Sequence, residues 1–275
     1  MWTISGFGDE IAADLDAQLD ALQALDIQRL DLRAAWGRNV LDLSDEDVAT
    51  VAAALAQRGM QAACVASPIG KAPVSAELQP QLDALRRALS VAQALGAPYV
   101  RVFSYYMPVG ENPARHRDAV LERLGQMTRL AELSGTTLLH ENERGIFGDS
   151  PERCFDLLRT IGSPSLRAVW EPSNFVSAGF APHPHAFALL RPWIEYVHVK
   201  DTDAATRRVV VAGAGNADWP ATIDGLLNSG FGGNFALEPH LQIAGAASGF
   251  SGPELFGEAA AALRNLLDAR GVDYR

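Results

Sequence analysis

The apolar and polar residues of this chain repeat one pattern eight times. Each repeat has a short run of β-branched, aromatic and other apolar residues, a polar loop, and a stretch with apolar residues every three or four positions. The apolar run is typical of a buried strand. The stretch with apolar residues every three or four positions is typical of an amphipathic helix. The pattern predicts strands at 3–8, 29–34, 61–67, 99–104, 137–142, 167–172, 196–201 and 235–240.

The helical stretches have start and stop signals. Leucines share one face of the first helix at Leu15, Leu19, Leu22 and Leu25. Ser44 and Ser150 are suited to cap the first turn of a helix, and Pro151 suits the position after its cap. Glycines before several strands, as in "RGMQAACV", can take the left-handed conformation that ends a helix.

Eight strand–helix units without a linker between them predict one α/β domain over residues 1–275, a single (β/α)₈ TIM barrel. The alternative is an open, doubly wound sheet. Such a sheet normally has a G-x-G-x-x-G turn after its first strand, and "GFGDEIAA" lacks the third glycine. The pattern therefore favours the barrel.

Composition narrows the choice of partner. The chain has 275 residues, 48% of them hydrophobic, with a net charge of −10. A negative protein is repelled by the phosphates of nucleic acid and by anionic membranes, so we expect it to bind a small ligand instead. Cys64 and Cys154 lack metal-site spacing and are expected to be small buried side chains. Neither a signal peptide nor a run of 18 apolar residues is recognisable, so we expect a soluble, cytoplasmic protein.

Four consecutive strands end in side chains that can bind metals: Glu141, Glu171, His198 and Glu238. Each alone could be a solvated loop residue or a helix cap. In a barrel, however, the carboxyl ends of the strands converge, and three carboxylates held together repel one another unless a cation compensates them. Three carboxylates and one imidazole favour Mn²⁺, with Mg²⁺, Co²⁺ and Zn²⁺ as alternatives.

Other polar residues lie near strand ends and are candidate substrate contacts. They are Arg33, Lys71, Arg101, His140, Asn174, Lys200 and His240. Only two of the 23 Lys and Arg residues are lysines, and both follow strands. A role as ion-pair partner is the alternative for each basic residue.

Several stretches of the chain resemble the xylose isomerase-like TIM barrels, which include sugar-phosphate isomerases and epimerases, dehydratases and the endonuclease IV group. The stretches are "SPIGK" (67–71), "LLHENERGIFGDSPERC" (138–154), "YVHVKD" (196–201), "GAGNADWPATIDGLLNSGF" (213–231) and "FALEPHL" (235–241). The resemblance covers essentially the whole chain. It implies that Glu141, Glu171, His198 and Glu238 bind the metal, and it is compatible with a homodimer.

The resemblance also implies chemistry at the carbon next to a carbonyl. A metal-bound carbonyl stabilises an enediolate, and Glu141 and Glu238 are the candidate base and acid. The sixth strand departs from the family pattern. Glu171 stands where the family usually has Asp, and Asn174 stands where it often has His. This difference puts the identity of the substrate in doubt.

Three functions follow as hypotheses. The first is a metal-dependent isomerase or epimerase of carbohydrate metabolism that acts on a ketose or a related polyhydroxy carbonyl compound. The second is a metal-dependent dehydratase or lyase for inososes or 3-keto-glycosides, in which His240 or Lys200 serves as the acid. The third is a sugar-binding barrel without catalytic activity. A DNA-cutting endonuclease of this family needs a histidine-rich cluster for three zinc ions and a basic groove for DNA. This chain has six histidines, few of them at strand ends, and a negative net charge, so we do not expect this function.

Overall fold

The computed structural model describes residues 1–241 and 251–275, and its eight barrel strands are parallel and form a closed sheet. The strands are β1 (Thr3–Phe7), β2 (Arg29–Leu32), β3 (Gln61–Val65), β4 (Tyr99–Val102), β5 (Thr137–Glu141), β6 (Leu166–Trp170), β7 (Ile194–Val199) and β8 (Asn234–Leu237). Neighbours in the chain are neighbours in the sheet, and β8 pairs with β1, with Leu237 opposite Gly6. The predicted TIM barrel is confirmed, and closure excludes the open doubly wound sheet.

Helices follow the strands and surround the barrel. They are α1 (Leu15–Ala24), α2 (Asp45–Gln57), α3 (Leu78–Leu95), α4 (Arg117–Ser134), α5 (Pro151–Ile161), α6 (Pro172–Ala178), α7 (Phe187–Leu190), α8 (Trp219–Asn228) and α9 (Gly252–Asp268). The side chains of Ser44 and Ser150 accept hydrogen bonds from backbone N–H groups and cap α2 and α5, as predicted.

Short elements lie in the loops. Short helical segments occur at Gly8–Glu10, Val40–Asp42, Pro113–His116, Phe147–Asp149, Pro182–Ala186 and Arg191–Trp193. Two small antiparallel hairpins pair Ala34–Ala35 with Arg38–Asn39 and Asp201–Asp203 with Arg208–Val210.

The eight strands end one to three residues earlier than the sequence pattern predicts. The end of β6 illustrates the reason. Glu171 accepts a hydrogen bond from Ser173 N at 3.0 Å and caps α6, while Pro172 has no N–H to donate to a neighbouring strand. The polar residues at these positions therefore lie at the mouth of the barrel rather than within its hydrogen-bonded sheet.

The apolar core has two parts. The larger part packs the helices against the outside of the barrel. The smaller part fills its interior and consists of Phe7, Ala63, Cys64, Ala66, Leu139, Val169, Tyr196 and Ala236. Cys64 and Cys154 are buried and form no disulfide, as expected. In the two described ranges, we find no helix with the length and apolar character needed to cross a membrane.

Candidate metal centre

Three glutamates and one histidine converge at the carboxyl end of the barrel. Glu141 is the last residue of β5, His198 lies near the end of β7, and Glu171 and Glu238 directly follow β6 and β8. One ligand atom of each residue lies within 4.8 Å of those of the other three. All four residues are at most 3% exposed. We call these residues the four-ligand cluster.

Two buried atoms of the four-ligand cluster have no hydrogen-bond partner among the described residues. They are Glu171 Oε2 and His198 Nδ1. Their nearest charged neighbours are Lys200 Nζ, 3.3 Å from Glu171 Oε2, and the carboxylates of Glu141 and Glu238, 3.4 and 3.5 Å from His198 Nδ1, so each atom has an ion-pair contact but no well-aligned hydrogen bond. Carboxylate oxygens together with one imidazole nitrogen are suitable ligands for a divalent cation. The donor atoms of the cluster therefore fit such an ion.

Two buried cations contact the acids of the cluster. Arg101 Nη1 lies 3.0 Å from Glu141 Oε2 and 3.4 Å from Glu238 Oε1. Lys200 Nζ lies 3.3 Å from Glu171 Oε2 and 3.2 Å from Glu238 Oε2. The sequence hypothesis assigned the charge compensation to a bound ion. The structure shows that these two side chains, together with Arg33, supply part of it.

Arg33 connects the cluster to two acids that the sequence analysis missed. Its guanidinium donates to Asp9 Oδ2 at 2.7 Å, to Glu10 Oε1 at 2.8 Å and to Glu238 Oε1 at 2.8 Å. Asp9 and Glu10 follow β1 and are 1% and 0% exposed. The signal that identified the other acids, a charged residue directly after a buried strand, is also present in "GFGDE".

Glu10 holds the chain on both sides of residues 242–250. Its Oε2 accepts hydrogen bonds from His240 N at 3.1 Å and from Ser251 Oγ at 2.9 Å. Its Oε1 lies 3.0 Å from His240 Nε2. Burial would lower the pKa of His240, but the carboxylates of Glu10 and Glu238 raise it. Glu10 therefore fixes both the backbone and the ring of His240.

The ionisable groups of the cluster affect one another strongly. Burial would raise the pKa of Glu141, but the charges of His198 and Arg101 lower it to about 2. Burial would lower the pKa of His198, but Glu141 and Glu238 raise it to about 9. For Glu171, burial outweighs the charge of Lys200 and raises the pKa to about 7. At neutral pH and without an ion, His198 is therefore protonated and Glu171 is partly protonated.

A cavity of about 360 Å³ opens beside the cluster. Glu141 and Glu238 line it, and so do six of the seven predicted substrate contacts: Arg33, Lys71, Arg101, Asn174, Lys200 and His240. This volume is in the range of small-molecule sites. The structure thus brings these six side chains to the same opening as the four-ligand cluster.

His140 is the seventh predicted contact, and the structure places it outside this cavity lining. Side chains alternate along β5, so His140 and Glu141 lie on opposite faces of the strand. His140 packs against Gly148, where an ideal Cβ would lie only 2.5 Å from its Cε1. It is 2% exposed, and burial lowers its pKa to about 4. At this position His140 is a neutral, buried side chain.

Asn174 contacts the cluster directly. Its Nδ2 donates to Glu141 Oε1 at 3.2 Å and to the carbonyl oxygen of Asn142 at 2.8 Å. Asn142 in turn donates to the carbonyl oxygen of Glu171 at 3.0 Å. Asn174 therefore orients a predicted metal ligand at the position where the family often has a histidine.

Lys71 lies at the edge of the cavity. Its Nζ is 2.6 Å from Glu143 Oε2 and 4.4 Å from the centre of the Phe103 ring. Tyr106 donates to the other oxygen of Glu143 at 3.3 Å. An ion pair and a cation–π contact therefore hold this lysine in place.

The sequence analysis also missed Asp201, which supports the end of β7. Its buried carboxylate accepts hydrogen bonds from the backbone N–H groups of Gly213, Gly215 and Ala217 at 3.0, 3.1 and 2.8 Å. An ideal Cβ at Gly215 would lie 2.4 Å from Asp201 Oδ1, so this contact requires a glycine. Asp201 thus holds the loop at 213–217 against the strand end next to Lys200.

Comparisons with solved structures show the same fold at low sequence identity. A D-tagatose 3-epimerase-like protein superposes with a TM-score of 0.80 and 15% identity, covering 98% of each chain. The probable 3-DHS dehydratase of Bacillus anthracis has a TM-score of 0.76 and 14% identity, covering 96% of this chain and 99% of its own. A xylose isomerase-like TIM barrel protein from Mycobacterium smegmatis, in complex with magnesium, has a TM-score of 0.70 and 18% identity, covering 97% and 98%.

No curated protein sequence gave a significant match. The model of one protein family does match, and its description is "xylose isomerase-like TIM barrel". The match extends over residues 17–267 and includes all four residues of the cluster. The closed eight-stranded sheet agrees with that description. The chain therefore belongs to the xylose isomerase-like TIM barrel family.

Proposed function

We propose that this protein is a divalent-metal-dependent sugar isomerase or epimerase. It would act by proton transfer next to the carbonyl of a ketose or a related polyhydroxy carbonyl compound. The observation that carries the proposal is the convergence of four ligand atoms within 4.8 Å beside a polar cavity of about 360 Å³. The epimerase-like structural neighbour adds support at the level of the fold.

Glu141, Glu171, His198 and Glu238 are the residues that would hold the ion. A divalent ion at this position supplies Lewis acidity, which stabilises negative charge on a carbonyl oxygen. We favour Mn²⁺, and Mg²⁺ is supported by the magnesium complex of one structural neighbour. Both ions accept carboxylate oxygen ligands.

Glu141 and Glu238 are the proposed base and acid. Both line the cavity, and they arrive from β5 and β8, on different sides of the mouth. Positive neighbours lower the pKa of both carboxyls despite burial, so in the metal-free protein both are ionised at neutral pH, and a carboxylate would act as the acid only after it has accepted a proton. Arg101 touches both carboxylates and holds them in position. Proton transfer by such a group contributes a factor of roughly 10² to 10⁴ in rate.

The other side chains of the cavity would bind the substrate. Arg33, Lys71 and Lys200 can donate hydrogen bonds to hydroxyl or carbonyl oxygens, and Asn174 and His240 can both donate and accept them. The polar lining suits a small sugar-like molecule with many hydroxyl groups.

The test combines elemental analysis of the purified protein with a substrate screen in D₂O. Ketoses, keto-inositols and 3-keto-glycosides are incubated with the Mn²⁺-loaded protein and followed by NMR. We expect deuterium to appear at the carbon next to the carbonyl, together with an isomer or epimer of the substrate. The proposal fails if the protein binds no divalent ion or if a metal-loaded sample exchanges no proton.

A metal-dependent dehydratase or lyase is the second candidate. Lys200 and His240 both line the cavity and both contact Glu238, so an acid could protonate a leaving group close to the proton acceptor. Elimination creates a conjugated double bond, whereas epimerisation does not. Ultraviolet absorbance during the same screen therefore separates the two reactions. Ion binding without any reaction would favour the third hypothesis, a sugar-binding barrel.

A further inference from the structure

Lys200 places a positive charge directly on two oxygens of the four-ligand cluster. Its Nζ lies 3.3 Å from Glu171 Oε2 and 3.2 Å from Glu238 Oε2, and its side chain is 9% exposed. Metal–oxygen bonds to Mn²⁺ or Mg²⁺ are about 2.1 Å long. An ion bound to either oxygen would therefore lie no more than about 5.4 Å from the ammonium group.

The surroundings of Lys200 keep its backbone in this position. Trp219 Nε1 donates to its carbonyl oxygen at 3.2 Å, and the next residue, Asp201, is held by the backbone of the loop at 213–217. The side chain of Lys200 is 9% exposed and lines the cavity beside the cluster. From this position its charge acts on the four-ligand cluster.

This charge has two opposite effects. Without an ion, it offsets the repulsion between Glu171 and Glu238. With an ion, it repels the ion, and at equal distance a double positive charge interacts twice as strongly with the ammonium group as a single carboxylate does. The repulsion is also little screened, because the groups are buried. Removal of this charge should therefore favour the bound ion.

We propose that Lys200 is a built-in competitor of the metal ion. Its ammonium group shares two ligand oxygens with the ion, lowers the affinity of the cluster for divalent cations, and stabilises the buried acids when no ion is present. The inference rests on the proposed function, because it requires an ion at the four-ligand cluster. It assigns Lys200 a role in setting the affinity for the metal ion, in addition to its predicted contact with the substrate.

Arg101 also contacts two oxygens of the cluster, but its guanidinium has further partners. Its guanidinium lies over the rings of Phe7 and Phe103, 5.3 and 5.1 Å from their centres, and it donates to the carbonyl oxygen of Ala66 at 3.1 Å. Substitution of Arg101 would therefore remove contacts outside the cluster together with the charge. Lys200 pairs with Glu171 and Glu238, whereas Arg33 pairs with Glu238 and Arg101 pairs with Glu141 and Glu238.

The test is calorimetric titration of metal-free protein with MnCl₂ at pH 8.5, which measures affinity without any activity assay. Lys200→Met removes the charge but keeps the length of the side chain. We expect Mn²⁺ to bind to this variant at least about tenfold more tightly than to the unmodified protein. Lys200→Arg keeps the charge and should bind within about threefold of the unmodified protein.

Lys71→Met is the matched control, because Lys71 is the other lysine of the chain and its partner is Glu143, outside the cluster. Its affinity for Mn²⁺ should change by less than about threefold. If Lys200→Met loses its fold by circular dichroism, Lys200→Gln removes the same charge and replaces it in the test. An unmodified protein that binds Mn²⁺, with neutral variants that bind it no more tightly, overturns this inference alone. Absence of binding in every protein overturns the proposed function as well.

Discussion

His198 Nδ1 lies 3.4 Å from Glu141 Oε2 and 3.5 Å from Glu238 Oε2, and these carboxylates keep the imidazole protonated in the metal-free protein. They outweigh the effect of burial and raise its pKa to about 9. A metal ligand must be neutral imidazole, so binding of the ion has to displace this proton.

Proton release is therefore the first prediction. At pH 7.5, each ion that binds should release about one proton from His198 and a fraction of a proton from Glu171, and the apparent affinity should rise with pH up to about 9. Titration calorimetry with Mn²⁺ in two buffers of different ionisation enthalpy measures the number of protons. Equal heats in both buffers would show that His198 is not a protonated ligand.

The second prediction concerns the stability of the metal-free protein against pH. The raised pKa of His198 gives stability that is present below pH 6.5 and is lost as the pH rises to about 9. The raised pKa of Glu171 acts in the same direction between about 4.5 and 7, because the folded state binds more protons there. We expect the free energy of unfolding to fall by roughly 3 kcal/mol from pH 6 to pH 9.

Urea denaturation in the presence of EDTA measures this change. In His198→Gln the free energy of unfolding should depend clearly less on pH, since this variant lacks the imidazole that titrates. A stability that stays constant from pH 6 to pH 9 in the metal-free protein would contradict the charge distribution described for the cluster.

The third prediction separates the cluster from the rest of the cavity. Glu238→Gln should bind the metal weakly and lower turnover by at least about 10²-fold, because it removes both a ligand and the proposed acid or base. Glu143→Gln is the control for metal binding, because Glu143 lines the same cavity but pairs with Lys71. Retained activity with normal metal content in Glu238→Gln would refute the role of Glu238.

The fourth prediction tests Glu10. The Glu10 carboxylate accepts hydrogen bonds from Arg33, His240 and Ser251. Glu10→Gln removes its negative charge and one of its two acceptor oxygens, so these donors lose hydrogen-bond strength. We expect a loss of about 1–3 kcal/mol in the free energy of unfolding. Glu258→Gln, on the exposed face of α9, should change stability by less than about 0.5 kcal/mol. Equal urea midpoints for the two variants would show that Glu10 has no special structural role.

The fifth prediction compares two glycines. Gly215→Ala would place a Cβ 2.4 Å from Asp201 Oδ1 and 2.6 Å from the carbonyl oxygen of Thr202, so the loop must move and stability should fall. Gly125→Ala lies in α4, where the nearest atom is 3.6 Å away, and it should increase stability by about 0.5–1 kcal/mol. Thermal denaturation of both variants measures these two changes in stability. A stable Gly215→Ala protein would show that the loop tolerates a different path.

The barrel and the cluster could be predicted because both follow from local pattern. Period-two alternation and strand ends identify Glu141, Glu171, His198 and Glu238, and the parallel barrel then brings them together. Alternation alone also separates His140 from Glu141. The candidate substrate contacts were less well defined, because a polar residue near a strand end can face the cavity, a neighbouring strand or the helix layer.

Asp9, Glu10 and Asp201 carry the same strand-end signal as the other acids, but their structural roles depend on partners that the sequence does not show. Glu10 bonds to residues 23, 230 and 241 positions away along the chain, and no local pattern reports such partners. Asp201 accepts from a glycine-rich loop that the sequence alone describes only as a turn. The strand ends were also predicted too late, since caps such as Glu171 compete with the sheet for backbone N–H groups.

Lys71, which pairs with Glu143 at the cavity edge, is a site for selective chemical labelling. The chain has two lysines, and the side chain of Lys200 is 9% exposed whereas that of Lys71 is 34% exposed. Apart from the amino terminus, acylating dyes should therefore react at Lys71, and thiol reagents should react slowly because both cysteines are buried. A fluorophore attached there would stand at the entrance of the cavity and could report the arrival of a ligand in real time.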